Sequence, residues 1–201
     1  MRVLVACEFS GVVRDAFSAR GHDAWSCDLL PTEQPGNHIV GDVLSLLDEG
    51  WDLMIAHPPC TYLTNAGVRH LHDHVVGRAG NRTAVYGEER WEAMREGAAF
   101  FNALKAAPIP RIAVENPIPH RYARELIGRY DQLYQPWWFG EGERKGTCLW
   151  LKGLPPLMAT LVMTERAPRV HMMSPGPDRW KNRSRTLPGI AAAMAEQWGR
   201  L

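Results

Sequence analysis

The sequence predicts an α/β fold: a doubly wound, mostly parallel sheet with a single ligand crevice. Two observations carry that expectation. Short apolar runs at Val3 to Ala6, Asp23 to Cys27, His38 to Val43, Trp51 to Ala56 and Arg111 to Val114 alternate with helical patterns or brief turns, a pitch that favours parallel pairing through crossover connections. Residues able to do chemistry stand just beyond successive runs: Glu8, Asp28, Asp42, the turn Pro58-Pro59-Cys60, and Glu115-Asn116. In an open α/β sheet the carboxyl ends of the strands are where ligands bind.

The chain has 201 residues, enough for one domain with a sizeable core and hardly enough for two. Hydrophobic residues make up 45% and charged residues 22%, an ordinary globular balance that excludes global disorder. The net charge is only +1, so any contact with a polyanion must come from a local patch. Cys7, Cys27, Cys60 and Cys148 lie far apart with no CxxC spacing, which indicates neither a zinc ribbon nor a disulfide framework and fits a reduced, cytoplasmic setting. The opening MRVLVACEF is too short to be a signal peptide. No run approaches the roughly 18 apolar residues of a membrane span.

Along the chain, Val3 to Ala6 reads as a strand, Cys7 to Gly11 as a loop, and Val12 to Arg20 as a helix stopped by Gly21. A second strand, Asp23 to Cys27, delivers Asp28 before Leu29-Leu30-Pro31. An acid there can take hydrogen bonds from ribose hydroxyls, or it can be a solvated turn residue. The third strand, His38 to Val43, holds Gly41-Asp42-Val43 and precedes a brief helix from Leu44 to Asp48. The fourth, Trp51 to Ala56, stops at His57-Pro58-Pro59-Cys60. Two prolines fix φ and supply no N–H, so neither helix nor ladder continues, and Cys60 is held at the strand's carboxyl edge. There it is a candidate nucleophile, although lone cysteines are more often inert core residues.

From Thr61 to Gly87 periodicity is lost. This stretch reads as a long basic lid or binding loop, with Arg69, Arg78 and Arg82 suited to phosphate. His70, His72 and His74 alternate without a cysteine or carboxylate nearby, so no metal site is assigned. Glu88 to Ala107 is the longest helical pattern, with Trp91, Met94, Ala98, Phe101 and Leu104 as a core stripe. The strand Arg111 to Val114 then presents Glu115-Asn116-Pro117, a carboxylate beside a carboxamide, able to read the edge of a planar heterocycle. A helix from Arg121 to Ile127, the aromatic segment Tyr134 to Phe139, the basic turn Arg144 to Thr147 and a strand from Cys148 to Leu151 follow. Gly153 to Pro177 reads mostly as connecting loop. A basic segment, Lys181 to Thr186, leads to a last helix, Ile190 to Trp198.

In order and content these motifs resemble the DNA cytosine-5 methyltransferase family. Phe9-Ser10-Gly11 looks like its first motif, Asp28 stands at its ribose-binding acid, and Gly41-Asp42-Val43 resembles the motif that meets adenine. Pro58-Pro59-Cys60 matches the catalytic motif and Glu115-Asn116 the glutamate-asparagine motif. Arg144 to Thr147 and Ser184 to Gly189 are weaker echoes of the arginine motif and the last motif. The resemblance spans nearly the whole chain. It implies a Rossmann-like sheet in a single catalytic domain over 1–201, S-adenosylmethionine as cofactor, and no metal. It also implies cofactor contacts from Glu8, Phe9, Ser10, Gly11, Asp28, Leu29, Asp42, Val43 and Pro58, and substrate contacts from Pro59, Arg144, Lys145 and Thr147.

The implied reaction explains the residue types. The C5 carbon of cytosine accepts a methyl group only after a thiolate adds at C6, so Cys60 would need a depressed pKa. Glu115, partly protonated in an apolar crevice, would donate to N3, with Asn116 fixing its orientation. A duplex target would have to be flipped out of its stack. Departures are specific: Glu8 replaces the family's usual aspartate, Val12-Val13 replace glycines, and Pro117 replaces valine. Only Lys152 to Trp180 is available where the family carries its target-recognition domain, so no separate one is expected. DNA, RNA and a free cytosine nucleotide therefore all remain candidate substrates. An amino-methyltransferase, which would place an aromatic where Cys60 stands, a non-catalytic nucleic-acid-binding relative and a purely structural domain are the alternatives.

Overall fold

A computed structural model describes residues 1–72 and 87–201. Among them, a seven-stranded sheet runs in the order β3-β2-β1-β4-β5-β7-β6. The strands are β1 (Arg2–Ala6), β2 (Asp23–Asp28), β3 (His38–Val40), β4 (Leu53–Ala56), β5 (Arg111–Pro117), β6 (Gln132–Tyr134) and β7 (Thr147–Lys152). Pairing from β3 through β5 is parallel, and β7 alone runs against its neighbours β5 and β6. Val3 to Ala6 and Leu53 to Ala56 are wholly buried, as strands covered on both faces must be. One face packs α2 (Gly87–Ala106) and α3 (Arg121–Ile127) through Met94, Ala98, Phe101, Leu104, Ala123 and Ile127. The other packs α1 (Val12–Ser18) and α6 (Pro188–Trp198) through Val13, Phe17, Ile190, Met194 and Trp198. Each fully buried side chain of this size contributes about 1.5–3 kcal/mol.

The chain leaves β1 toward β2 and β3 on one side, then returns to β4 and β5 on the other. The order thus reverses between β1 and β4, and the crevice outside their carboxyl ends is where such a sheet takes a ligand. The Cys7 to Gly11 loop and the His57 to Cys60 turn leave these two ends.

Several boundaries differ from the sequence expectation. The third strand stops at Val40, and Asp42 caps a 3-10 turn, Val43–Leu46, through the Leu44 N–H. Glu115-Asn116-Pro117 lies inside β5, because β7 pairs alongside as far as Pro117↔Thr147. The basic segment, to which the sequence assigned no element, overlaps α5 (Arg179–Ser184), and a short α4 (Arg169–Met172) interrupts the stretch expected as connecting loop. Within the long basic loop, Asn65–Leu71 forms a 3-10 turn that carries Arg69 and His70. His74, Arg78 and Arg82 lie outside the described residues. No helix among the described residues is long and apolar enough to cross a membrane, and no cluster of metal-ligating side chains occurs among them.

Candidate active site

The first strand ends at Cys7 in the left-handed region, with φ 58°, an uncommon conformation for a residue with a side chain. Beyond it the chain turns so that Glu8 is buried beneath the start of α1. Its carboxylate accepts from Ser10 Oγ at 3.2 Å, Val13 N at 2.7 Å and Arg14 N at 3.2 Å. These amides would otherwise be orphans, because Gly11 at the N-cap brings no side chain. Glu8, expected as a cofactor contact, is here an internal cap for α1. Phe9 is buried too, its ring 6.1 Å from that of Trp180 on α5. Gly11, at φ 76°, lies so close to Arg14 that a Cβ there would stand 2.4 Å from the guanidinium.

Arg14 is 1% exposed and escaped the sequence reading. Its guanidinium donates to Asp15, Ser26 Oγ, Thr32 Oγ1 and the carbonyl oxygens of Gln34 and Pro35. It thereby pins the β2–β3 connection, at whose start stand Asp28 and Leu29. Asp28 engages the Leu30 N–H with one oxygen, which leaves the second able to accept from a ligand. Leu29 is 75% exposed, whereas Val43 is buried. Asp28 and Asp42 both act on the Cys7 thiol, which burial and then these carboxylates push up to about 12. The two acids are thus gathered around the end of β1, beside the exposed side chains of Leu29 and Leu44. Paired acceptors next to exposed aliphatic groups fit a nucleoside such as the adenosine of S-adenosylmethionine.

Across the reversal, the His57 N–H donates to the Ala6 carbonyl at 2.9 Å, anchoring the turn to β1. Pro58 is buried, Pro59 exposed and Cys60 half-buried. The Cys60 carbonyl accepts from the N–H groups of Leu63 and Thr64, which curls the chain back beneath it. Ala56 of β4 pairs with Val114 of β5, so His57 and Glu115 come side by side one residue further along. His57 Nδ1 lies 3.0 Å from Glu115 Oε2, with side chains only 11% and 13% exposed. This contact escaped the sequence reading, where His57 was no more than part of a turn; the signal was the parallel register of the fourth and fifth strands.

Charge in this corner is strongly coupled. Burial pushes the Glu115 carboxyl up, but the His57 hydrogen bond and charge, Lys145 and a hydrogen bond from Tyr134 bring it below its ordinary 4.5. Burial likewise pushes His57 down, yet Glu115, with Glu8 behind it, carries the imidazole above its ordinary 6.5 against Lys145. The buried Tyr134 hydroxyl bonds both Glu115 and Thr147, and its pKa is far above the ordinary range, so it stays protonated and donates to the carboxylate. These partners hold Glu115 on the ionised side in the free protein, whereas the implied reaction asks it to donate a proton. Neighbouring strand residues point to opposite faces, and Asn116 bonds the Pro117 carbonyl and not Glu115. Among the described residues, the side chains that hydrogen-bond Glu115 are His57 and Tyr134. Asn116 is fully buried, and its Oδ1 has no hydrogen-bond partner among the described residues.

Cys60 also departs from expectation. Burial raises its pKa above the ordinary 9.0, although Lys145 and Arg183 pull the other way. Burial pushes the Cys27 and Cys148 thiols up to about 11 and about 12, with no cation among the described residues to oppose it. Among the described residues, Cys60 is the thiol on which cations act. Lys145 is held by the Arg183 carbonyl at 3.1 Å and Thr147 Oγ1 by the Lys145 carbonyl at 3.0 Å, while Arg144 is exposed. Cys60, Glu115, Lys145 and Thr147 are thus brought to one corner, with Asp28 and Asp42 gathered at the end of β1.

No protein-family model matches the sequence, and no curated protein is similar to it. Among solved structures, the chain is similar to a protein described as a DNA modification methyltransferase encoded within a prophage of E. coli, at 13% identity and a TM-score of 0.48. The similarity covers 89% of this chain and 56% of that one. It is also similar to a triple mutant of DNMT2 from Spodoptera frugiperda, at 11% identity and a TM-score of 0.41, over 83% of this chain and 57% of that one. The chain thus covers a little over half the length of each of these structures.

Proposed function

We propose that the chain is an S-adenosylmethionine-dependent cytosine-5 methyltransferase whose residues 1–201 act as one catalytic domain on cytosine in nucleic acid, DNA foremost. The observation that carries this reading is the convergence of Cys60 and Glu115, on turn and strand at the carboxyl ends of neighbouring parallel strands, with Lys145 acting on both. S-adenosylmethionine supplies the methyl group when bound, and Asp28 and Asp42 are the acceptors that suit its ribose and adenine. Cys60 gives up its thiol proton to solvent water and its sulfur bonds C6 as the C5–C6 π bond opens, helped by the positive charge of Lys145 and Arg183. Glu115 serves N3, stabilising the electron pair pushed into the ring. Once C5 carries the methyl group, a solvent water acting as base takes the C5 proton, and the electron pair of that C–H bond restores the C5–C6 double bond and expels the Cys60 sulfur as thiolate.

The test is trapping. Wild type and Cys60→Ala are incubated with tritiated S-adenosylmethionine and 5-fluorocytosine in DNA, RNA or dCMP. A fluorine at C5 cannot leave as a proton, so the reading predicts a labelled adduct that survives denaturation in wild type and vanishes in the variant. The substrate that forms it names the polymer. Cofactor binding without adduct on any substrate would sink the mechanism and favour amino-methyl transfer or binding without catalysis.

A further inference from the structure

We propose that His57 is a positioning residue that stores the proton Glu115 passes to the pyrimidine ring, so that the two side chains work as one proton-carrying unit. This rests on the cytosine-5 reading above. An ionised carboxylate cannot donate, and Glu115 is ionised in the free protein. Among the described residues, two side chains hold protons against it, the Tyr134 hydroxyl and the imidazole whose Nδ1 stands 3.0 Å away, and the imidazole is by far the stronger acid of the two.

The geometry is specific. His57 leads the Pro-Pro turn and is tied to β1 through its N–H, while Glu115 is paired into β5 with Leu149 of β7. Neither side chain can drift without breaking a strand contact. The charged groups around the pair are Glu8 from the β1–α1 loop and Lys145 from the turn before β7, and Tyr134 of β6 donates a hydrogen bond to the carboxylate. His57 Nε2 is buried with no hydrogen-bond partner among the described residues. A buried N–H without a partner costs about 1–3 kcal/mol, so Glu115 is what retains the charged ring, and a ligand that engages Glu115 loosens that hold. In the transfer the Nδ1–H bond breaks and an N3–H bond forms, with Glu115 as relay and again a carboxylate at the end. The electron pair of the broken bond stays on Nδ1, and the positive charge moves from imidazole to pyrimidine.

The experiment compares the pH dependence of kcat/KM in wild type and His57→Asn, whose amide N–H can still hold Glu115. The expected result is that the break belonging to the pair, above the ordinary imidazole 6.5 in wild type, moves into the carboxylate range, with a loss on the order of 10²-fold at pH 7.5. An unmoved break would overturn the proposal, because a purely structural role scales the profile without displacing it. Nitrogen-15 spectra of the His57 ring in wild type, assigned against that variant, keep the test decisive if activity is too low to follow. The ring should be doubly protonated in the free protein at pH 6, should lose its proton at a lower pH in Glu115→Gln than in wild type, and should be neutral in the 5-fluorocytosine adduct at pH 6. A neutral ring in the free protein, or a charged ring in the adduct, would overturn the assignment. Failure of the wild type to form any adduct falls on the methyltransfer reading alone, since the free-protein spectra still decide the pair.

Discussion

His57 and Glu115 owe their charges to each other, and that dependence sets a pH window for stability. The folded pKa of His57 lies above its ordinary 6.5, so its contribution is complete below 6.5 and is lost as pH rises through the folded value. The folded pKa of Glu115 lies below its ordinary 4.5, so its contribution is complete above 4.5 and is lost as pH falls through the folded value. Both are present together between 4.5 and 6.5. His57→Ala, which leaves a buried carboxylate without its charge partner, should cost about 3 kcal/mol near pH 5.5 and less near pH 9, because the wild-type imidazole gives up its proton as pH rises through its folded value. Urea unfolding of both proteins at the two values checks this; an equal difference at both would mean the pair is not charged. The sequence made Glu115 visible as a candidate and left its ionisation hidden, because a pKa is set by what stands opposite in space. Cys60 teaches the same point: its place in the chain was legible, and the burial that raises its thiol was not.

The start of α1 illustrates how far local pattern reaches at the scale of an element. Its first residue, Val12, was readable from the amphipathic run after Gly11, whereas the helix end was misplaced by two residues, Ser18 in place of Arg20. Boundaries such as these depend on capping partners, and the cap here is Glu8, which comes from the preceding loop and looks in sequence like a site acid. The longer α2 was legible almost to the residue because its stripe of Met94, Ala98, Phe101 and Leu104 is buried as a unit. The extension of β5 through Glu115 was not, since only pairing with β7 creates it. The capping account makes a sharp prediction. Glu8→Ala should destabilise the protein by about 1–2 kcal/mol through the uncovered Val13 and Arg14 amides, and Glu8→Gln, which retains an acceptor oxygen, by less. Gly11→Ala should also destabilise, since it forces a side chain into the left-handed region against Arg14. Thermal unfolding measures all three; a neutral Glu8→Ala would show that the buried carboxylate serves something other than α1.

At the scale of the whole molecule, a net charge of +1 conceals a division. Residues 144–185 carry nine lysines and arginines against two acids, so the remainder of the chain is net negative. From Met158 to Gly189 no residue is buried, yet the stretch is tied across the carboxyl edge of the sheet. Arg185 binds Glu33 through two hydrogen bonds at 2.7 and 2.9 Å, the Arg183 carbonyl holds Lys145, and the Arg144 N–H reaches the Ala167 carbonyl. A segment without a core of its own, basic and lashed beside Cys60, is suited to lie along a phosphate backbone, where affinity comes from counterion release. Binding of DNA or RNA should therefore weaken steeply with salt. Each phosphate neutralised contributes about 0.7–0.9 to the slope of log K against log salt, so Arg144→Ala combined with Lys181→Ala should lower that slope by about 1.5 while leaving the fold intact, since Arg144 is exposed and the Lys181 ammonium lies over the Trp180 ring at the surface. Fluorescence anisotropy with labelled oligonucleotides from 50 to 300 mM salt, taken across the same variants, reads the slope directly. An unchanged slope would move the phosphate contacts elsewhere on the molecule, and no salt dependence at all would point to a free nucleotide as the substrate, because a single mononucleotide has too few phosphates to release a counterion atmosphere.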